Sequence, residues 1–118
     1  MISVYEPTKS LASFHIAGFG HHEGFKVFSE LKVGTQVEMR LEPGNPYDPE
    51  AIAIYYDETK IGYVPKDNNS EFYTYLYYGY EDMYETFICM VNDDAHPEQQ
   101  FRVVVTLNDA REQDGIEE

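Results

Sequence analysis

A chain of 118 residues can bury one hydrophobic core and is too short for two. Hydrophobic residues make up 42% of it and are spread from Leu11 to Leu107, which excludes a disordered body, and a single cysteine excludes a disulfide framework. The formal charge of −14 argues against a long electrostatic groove for nucleic acid, because such grooves work by neutralising phosphates with Lys and Arg.

The charge is unevenly placed. Residues 1–66 carry 9 acids and 6 bases, whereas residues 67–118 carry 13 acids and 2 bases, so the first half is the less repulsive surface for an anion. The start of the chain lacks the basic and apolar stretches of a signal peptide, and no apolar run approaches the length that spans a bilayer. A soluble, cytoplasmic protein with no membrane partner is expected.

Residues 1–10 read as a loose lead-in in which Ile2 and Val4 can add an edge strand. In residues 11–19, Ala12, Phe14 and Ile16 alternate with Ser13, His15 and Ala17, the period of a half-buried strand. Between Gly24 and Gly34, Phe25, Phe28 and Leu31 recur at three-residue spacing, which predicts a short helix stopped by Gly34. Val37, Met39 and Leu41 alternate with Glu38, Arg40 and Glu42 in the cleanest strand signal of the chain.

Residues 51–56 and 61–64 predict two more strands joined by the polar residues 57–60. Residues 67–70 offer helix N-caps, and Phe72, Tyr75, Leu76 and Gly79 follow at helical spacing, with Tyr73, Tyr77 and Tyr80 on the other face. Residues 86–91 and 101–107 predict the last strands, across a polar loop at 92–100. Cys89 is expected there as a small buried hydrophobe, and the acidic residues 109–118 are expected to be a disordered tail. The fold class is therefore mostly β: a small OB-like barrel of about six strands with two short inserted helices, since closure removes exposed strand edges.

Residues 42–51, EPGNPYDPEA, place three prolines, a glycine and an Asn-Pro step between two strands. Each proline fixes its own φ and restrains the residue before it, so Pro43, Asn45, Pro46 and Pro49 shape a stiff loop that holds Tyr47 and Asp48 ready. A tyrosine ring offers a stacking face for a terminal nucleotide. The neighbouring carboxylate can accept a hydrogen bond from a free sugar hydroxyl while repelling a phosphate. The same spacing is equally that of a rigid turn in which Asp48 caps local N–H groups and Tyr47 packs on the core.

Three blocks in order, Ile16-Ala17-Gly18-Phe19 with His21, His22 and Gly24, then EPGNPYDPEAIAIYY, then residues 60–66, KIGYVPK, together resemble the HIRAN domain over roughly residues 11–80. The resemblance implies an OB-like barrel in a family that stands alone in bacteria or is fused to helicase and nuclease modules of DNA repair. It also implies capture of the 3′-hydroxyl end of single-stranded DNA, as in an SNF2-type helicase member of the family. On that resemblance Tyr47 and Asp48 correspond to the Tyr-Asp pair that stacks on the end nucleotide and binds its hydroxyl. Tyr63 falls where that member has a histidine, Lys66 keeps a nearby positive charge, and Phe101 is a further stacking aromatic. Gly20, His21 and His22 stand where that member has Arg-Tyr-Tyr; the two histidines can stack or donate, with pH dependence near neutrality.

Other constellations are weaker. His21 and His22 are adjacent, so in extended chain they point to opposite faces, and His15 and His96 complete no zinc spacing. No phosphate-binding lysine loop is present, and the acid pairs read as solvated surface, so neither a metal, a small-molecule cofactor nor a catalytic activity is expected. Two functions follow: a non-catalytic reader of single-stranded DNA 3′ ends in repair or processing, with a helicase or nuclease partner, or an acidic protein-interaction module that no longer binds DNA tightly. Six of the eleven tyrosines, clustered between Tyr73 and Tyr84, belong to the second reading.

Overall fold

The computed structural model describes residues 9–21 and 23–108. The alternating segments form six strands: β1 (Ser10–His15), β2 (Gln36–Leu41), β3 (Ile52–Tyr56), β4 (Thr59–Tyr63), β5 (Tyr84–Val91) and β6 (Phe101–Leu107). All pair antiparallel in one sheet of order β1-β6-β5-β2-β3-β4. The period-2 pattern sets the faces: Val37 and Met39 of β2, Ile52 and Ile54 of β3, and Phe101, Val103 and Val105 of β6 all point into the core.

The ladders leave β1 and β4 as the two edges, and the chain beyond β1 joins them at one point. Ile16 N–H still donates to Phe101 O at 3.0 Å; Ala17 then exchanges two hydrogen bonds with Tyr63, at 2.9 and 2.8 Å. The strands thus form an open six-stranded antiparallel sheet whose edges are linked by one isolated bridge, and not the expected closed OB-like barrel, because no ladder pairs β1 with β4 among the described residues. Gly62 makes the pin possible, because a Cβ there would lie 2.4 Å from Ile16 Cγ2 and 2.6 Å from Ala17 O.

Between β1 and β2 the predicted helix is a run of 3-10 geometry, Glu23–Glu30. Its three-residue apolar spacing matches the three residues per turn of that helix better than the 3.6 of an α-helix. The second helix, α1 (Lys66–Tyr77), buries Phe72 and Leu76. Its N-cap is Pro65, not one of residues 67–70, and no side chain caps it. At the other end Gly79 lies outside the helix, at φ 91°; Gly79 N–H donates to Leu76 O and Tyr80 N–H to Tyr75 O, the paired bonds of a Schellman stop.

The apolar run of β5 misleads about Cys89. Thr86 and Ile88 point inward, so Cys89 between Ile88 and Met90 faces out, at the place where pairing with β6 slips, and it is exposed. The strand-pairing capacity of Ile2 and Val4 and the state of residues 109–118 lie outside the described residues. Among the described residues no helix is long and apolar enough to cross a membrane.

Candidate functional site

The loop between β2 and β3 is held by its own side chains. Asn45 Oδ1 accepts the backbone N–H of Tyr47 at 2.8 Å and of Asp48 at 3.0 Å, turning the chain sharply between Pro43 and Pro49. Asp48 Oδ1 accepts the N–H of Glu50 at 2.9 Å, and Asp48 O accepts that of Ala51 at 3.1 Å. Asp48 therefore caps the turn, as one reading of the sequence allowed. Tyr47 does not pack on the core: it is 86% exposed, the most exposed large hydrophobic side chain described.

Two further elements dock on this loop. From α1, buried Asn69 donates through Nδ2 to Asp48 Oδ2 at 2.8 Å, and Ser70 Oγ donates to Glu50 Oε1 at 2.9 Å. From β4, the Tyr63 hydroxyl donates to Glu42 Oε2 at 2.8 Å and accepts from Lys60 Nζ at 3.0 Å, while Lys60 also pairs with Glu42 Oε1 at 3.0 Å. Asn45 Nδ2 donates into the same cluster, to Glu42 Oε2 at 3.2 Å.

Electrostatics follow from that geometry. Partial burial pushes the Glu42 carboxyl up, but hydrogen bonds from Lys60 and Tyr63, the Lys60 charge and the Asn45 bond outweigh it and hold the group below its ordinary value. Burial pushes Lys60 down, and hydrogen bonds to Tyr63 and Glu42 with their charges more than reverse this. Lys60 is thus committed within the cluster, whereas Lys66 is exposed in the first turn of α1, three residues before Asn69.

The sequence candidates divide accordingly. Tyr47 and Asp48 stand side by side, one free and one pinned. Tyr63 is half-buried with its hydroxyl committed to Glu42, so it buttresses the loop. Phe101, expected as an outer stacking aromatic, is only 1% exposed; its ring packs 4.7 Å from that of Phe19 and 5.2 Å from that of Phe28, and no ligand can stack on it. The His21 side chain and the whole of His22 lie outside what the structure describes. Sequence reasoning passed over Asn69 as a helix cap, Glu42 as an ordinary strand residue and Lys60 as part of the polar connection at 57–60. Their partners lie between 18 and 21 positions away, beyond any local pattern.

The HIRAN domain family model matches residues 10–108, and the chain belongs to that family. Its fold is similar to the crystal structure of a protein from Lactobacillus plantarum, with a TM-score of 0.70 and 20% identity over 81% of this chain and 90% of that one. It is also similar to the HIRAN domain of human HLTF, with a TM-score of 0.65 and 15% identity over 81% of this chain and 73% of that one. At such identities the likeness speaks for the fold. No curated protein matches the chain.

Proposed function

We propose that this HIRAN domain is a non-catalytic recognition module that takes the 3′-hydroxyl end of a single DNA strand at the tip of the Pro-rich loop, in a repair or processing context. The observation that carries the reading is the pair at that tip: a tyrosine ring standing free in solvent beside a carboxylate immobilised by two internal donors. The ring supplies a face for the last base. A carboxylate has about four acceptor positions, so Asp48 retains capacity for a sugar hydroxyl after accepting from Glu50 and Asn69.

Rigidity lowers the entropic cost of ordering the site, and a one-nucleotide site needs few phosphate contacts, which reconciles recognition of DNA with the overall negative charge. Lys66, together with His21 and His22, belongs to the approach. Fluorescence anisotropy at low salt with oligonucleotides differing only in a 3′-hydroxyl or 3′-phosphate tests the reading. Tighter binding of the hydroxyl end, lost in Tyr47→Ala and Asp48→Ala, is expected; equal binding of both ends, or binding indifferent to Tyr47, overturns it.

A further inference from the structure

The far side of α1 carries a second group of exposed aromatics. Tyr75, Tyr77, Tyr78 and Tyr80 are between 51% and 69% exposed, on the last turn of the helix and on the Schellman turn that stops it. Tyr77 stacks on Tyr73 at 6.0 Å and meets Tyr78 edge-on at 5.0 Å, so these three rings are connected. Exposed tyrosines grouped in this way are what interaction surfaces are rich in.

Next to this end of the helix in the chain lies a groove of about 520 Å³ whose walls include Leu76, Asp57, Glu81, Asp82, Tyr84 and Glu85. Leu76, between Tyr75 and Tyr77, and Glu81, directly after Tyr80, tie the two together, since both line the groove. Among the described residues no cation forms an ion pair with the carboxylates of Asp57, Glu81, Asp82 or Glu85, although Arg40 Nη2 donates to the Asp57 backbone carbonyl at 3.2 Å.

We propose that this face, the tyrosine end of α1 together with the acidic groove beside it, docks an extended Lys/Arg-rich segment of a partner protein. Charge complementarity selects the occupant. A strand of nucleic acid, an anionic bilayer and a second copy of a chain carrying −14 all bring the same sign of charge to these carboxylates. A guanidinium or ammonium group is attracted both by the carboxylates and by the faces of the rings. The rim of the groove already displays that chemistry, where the Arg40 guanidinium lies 4.2 Å from the centroid of Tyr55 and 2.8 Å from Glu38. This docking is independent of the strand-end reading, because it uses no residue of the Pro-rich loop.

The test is a nuclear magnetic resonance titration of the full chain with a short alternating Arg-Gly peptide, alongside its Glu-Gly counterpart. Shifts confined to residues 75–86 and the groove are expected for the Arg peptide and none for the Glu peptide. Affinity should fall about tenfold in Tyr78→Ser/Tyr80→Ser and again in Glu81→Gln/Asp82→Asn, with Asp48→Ala binding normally. The tyrosines are exposed, so their loss leaves the fold intact, as an unchanged spectrum elsewhere verifies. Shifts scattered over the acidic surface, or affinity indifferent to the tyrosine pair, would mean diffuse attraction and overturn the proposal. Self-association through residues 75–80, or a single-stranded oligonucleotide shifting the same residues, would do so equally.

Discussion

Two regions of the molecule present tyrosine to solvent, and they are built in opposite ways. In the Pro-rich loop one ring, Tyr47, stands over a turn fastened by side-chain hydrogen bonds to α1 and β4, made by Asn45, Asp48, Asn69, Glu42 and Tyr63. At the C-terminal end of α1 four exposed rings are carried by the helix and its Schellman stop and touch only other tyrosine rings where ring contacts are made, and the carboxylates of Glu81, Asp82 and Glu85 have no ion-pair partner among the described residues. The comparison shows that a shared residue type does not fix a ligand. A pinned, locally balanced loop suits recognition of one small group, whereas an unpinned acidic face suits a flexible cation-rich chain.

The sharpest way to break the comparison is at the bridge. Gly62→Val drives a side chain into Ile16 and the Ala17 carbonyl, displacing the two Ala17–Tyr63 hydrogen bonds and with them the Tyr63 buttress of the loop. Overpacking and the lost bonds should together cost about 3 kcal/mol of stability in urea denaturation. Hydrogen exchange should rise most in residues 42–51 and 60–64 and least in residues 75–80. Uniform loss across both regions would show that the loop is not specially dependent on the bridge.

A smaller loss is expected from Asn69→Ala, which strips one donor from the half-buried Asp48 carboxylate and unfastens the loop from α1. An unsatisfied partner of this kind should cost about 2 kcal/mol. The loop should also become the first site of limited proteolysis, while a Tyr78→Ser variant stays as resistant as the parent.

The Glu42–Lys60 pair sharpens the comparison through pH. A carboxyl held below its ordinary value of 4.5 contributes stability that is fully present above that value and lost as pH falls through its folded one. Lys60, held above its ordinary 10.5, contributes stability present below that value and lost as pH rises through its folded one. Between these limits the pair is intact. Denaturation midpoints of Glu42→Gln should fall by the equivalent of about 1 kcal/mol or less near neutrality, and the difference from the parent should vanish in acid, once the Glu42 carboxyl is protonated in the folded protein. An unchanged gap at low pH would mean that the pair is not what the substitution removes.

Much of this was legible along the chain. Alternation gave β2 with its inward Val37 and Met39, and it gave the bounds of β6. The same alternation also placed Phe101 in register with Val103 and Val105, so its burial was readable; family resemblance pointed the other way and the strand period prevailed. What eluded the sequence were features without a local period. A bulge after Ile88 left Met90 exposed beside Cys89, a backbone pin between Ala17 and Tyr63 required the absence of a Cβ at Gly62, and Asn69 reached back 21 positions to Asp48. Polar contacts of that span carry no repeat, whereas buried apolar residues must follow the geometry of the element that carries them.

The smallest effect is the most discriminating. Tyr47 contributes its backbone N–H to the Asn45 turn, but its ring is exposed, so Tyr47→Ala keeps the bond and removes only the face offered to solvent. Stability should change by no more than about 0.5 kcal/mol in thermal or urea unfolding, the range of ordinary surface substitutions. Tyr78→Ser should be as neutral. Each variant should then lose one ligand and keep the other: the strand end for Tyr47→Ala and the Arg-rich peptide for Tyr78→Ser. A Tyr47→Ala protein that unfolds more readily would mean that the ring supports the loop, and binding lost with it would no longer speak for stacking.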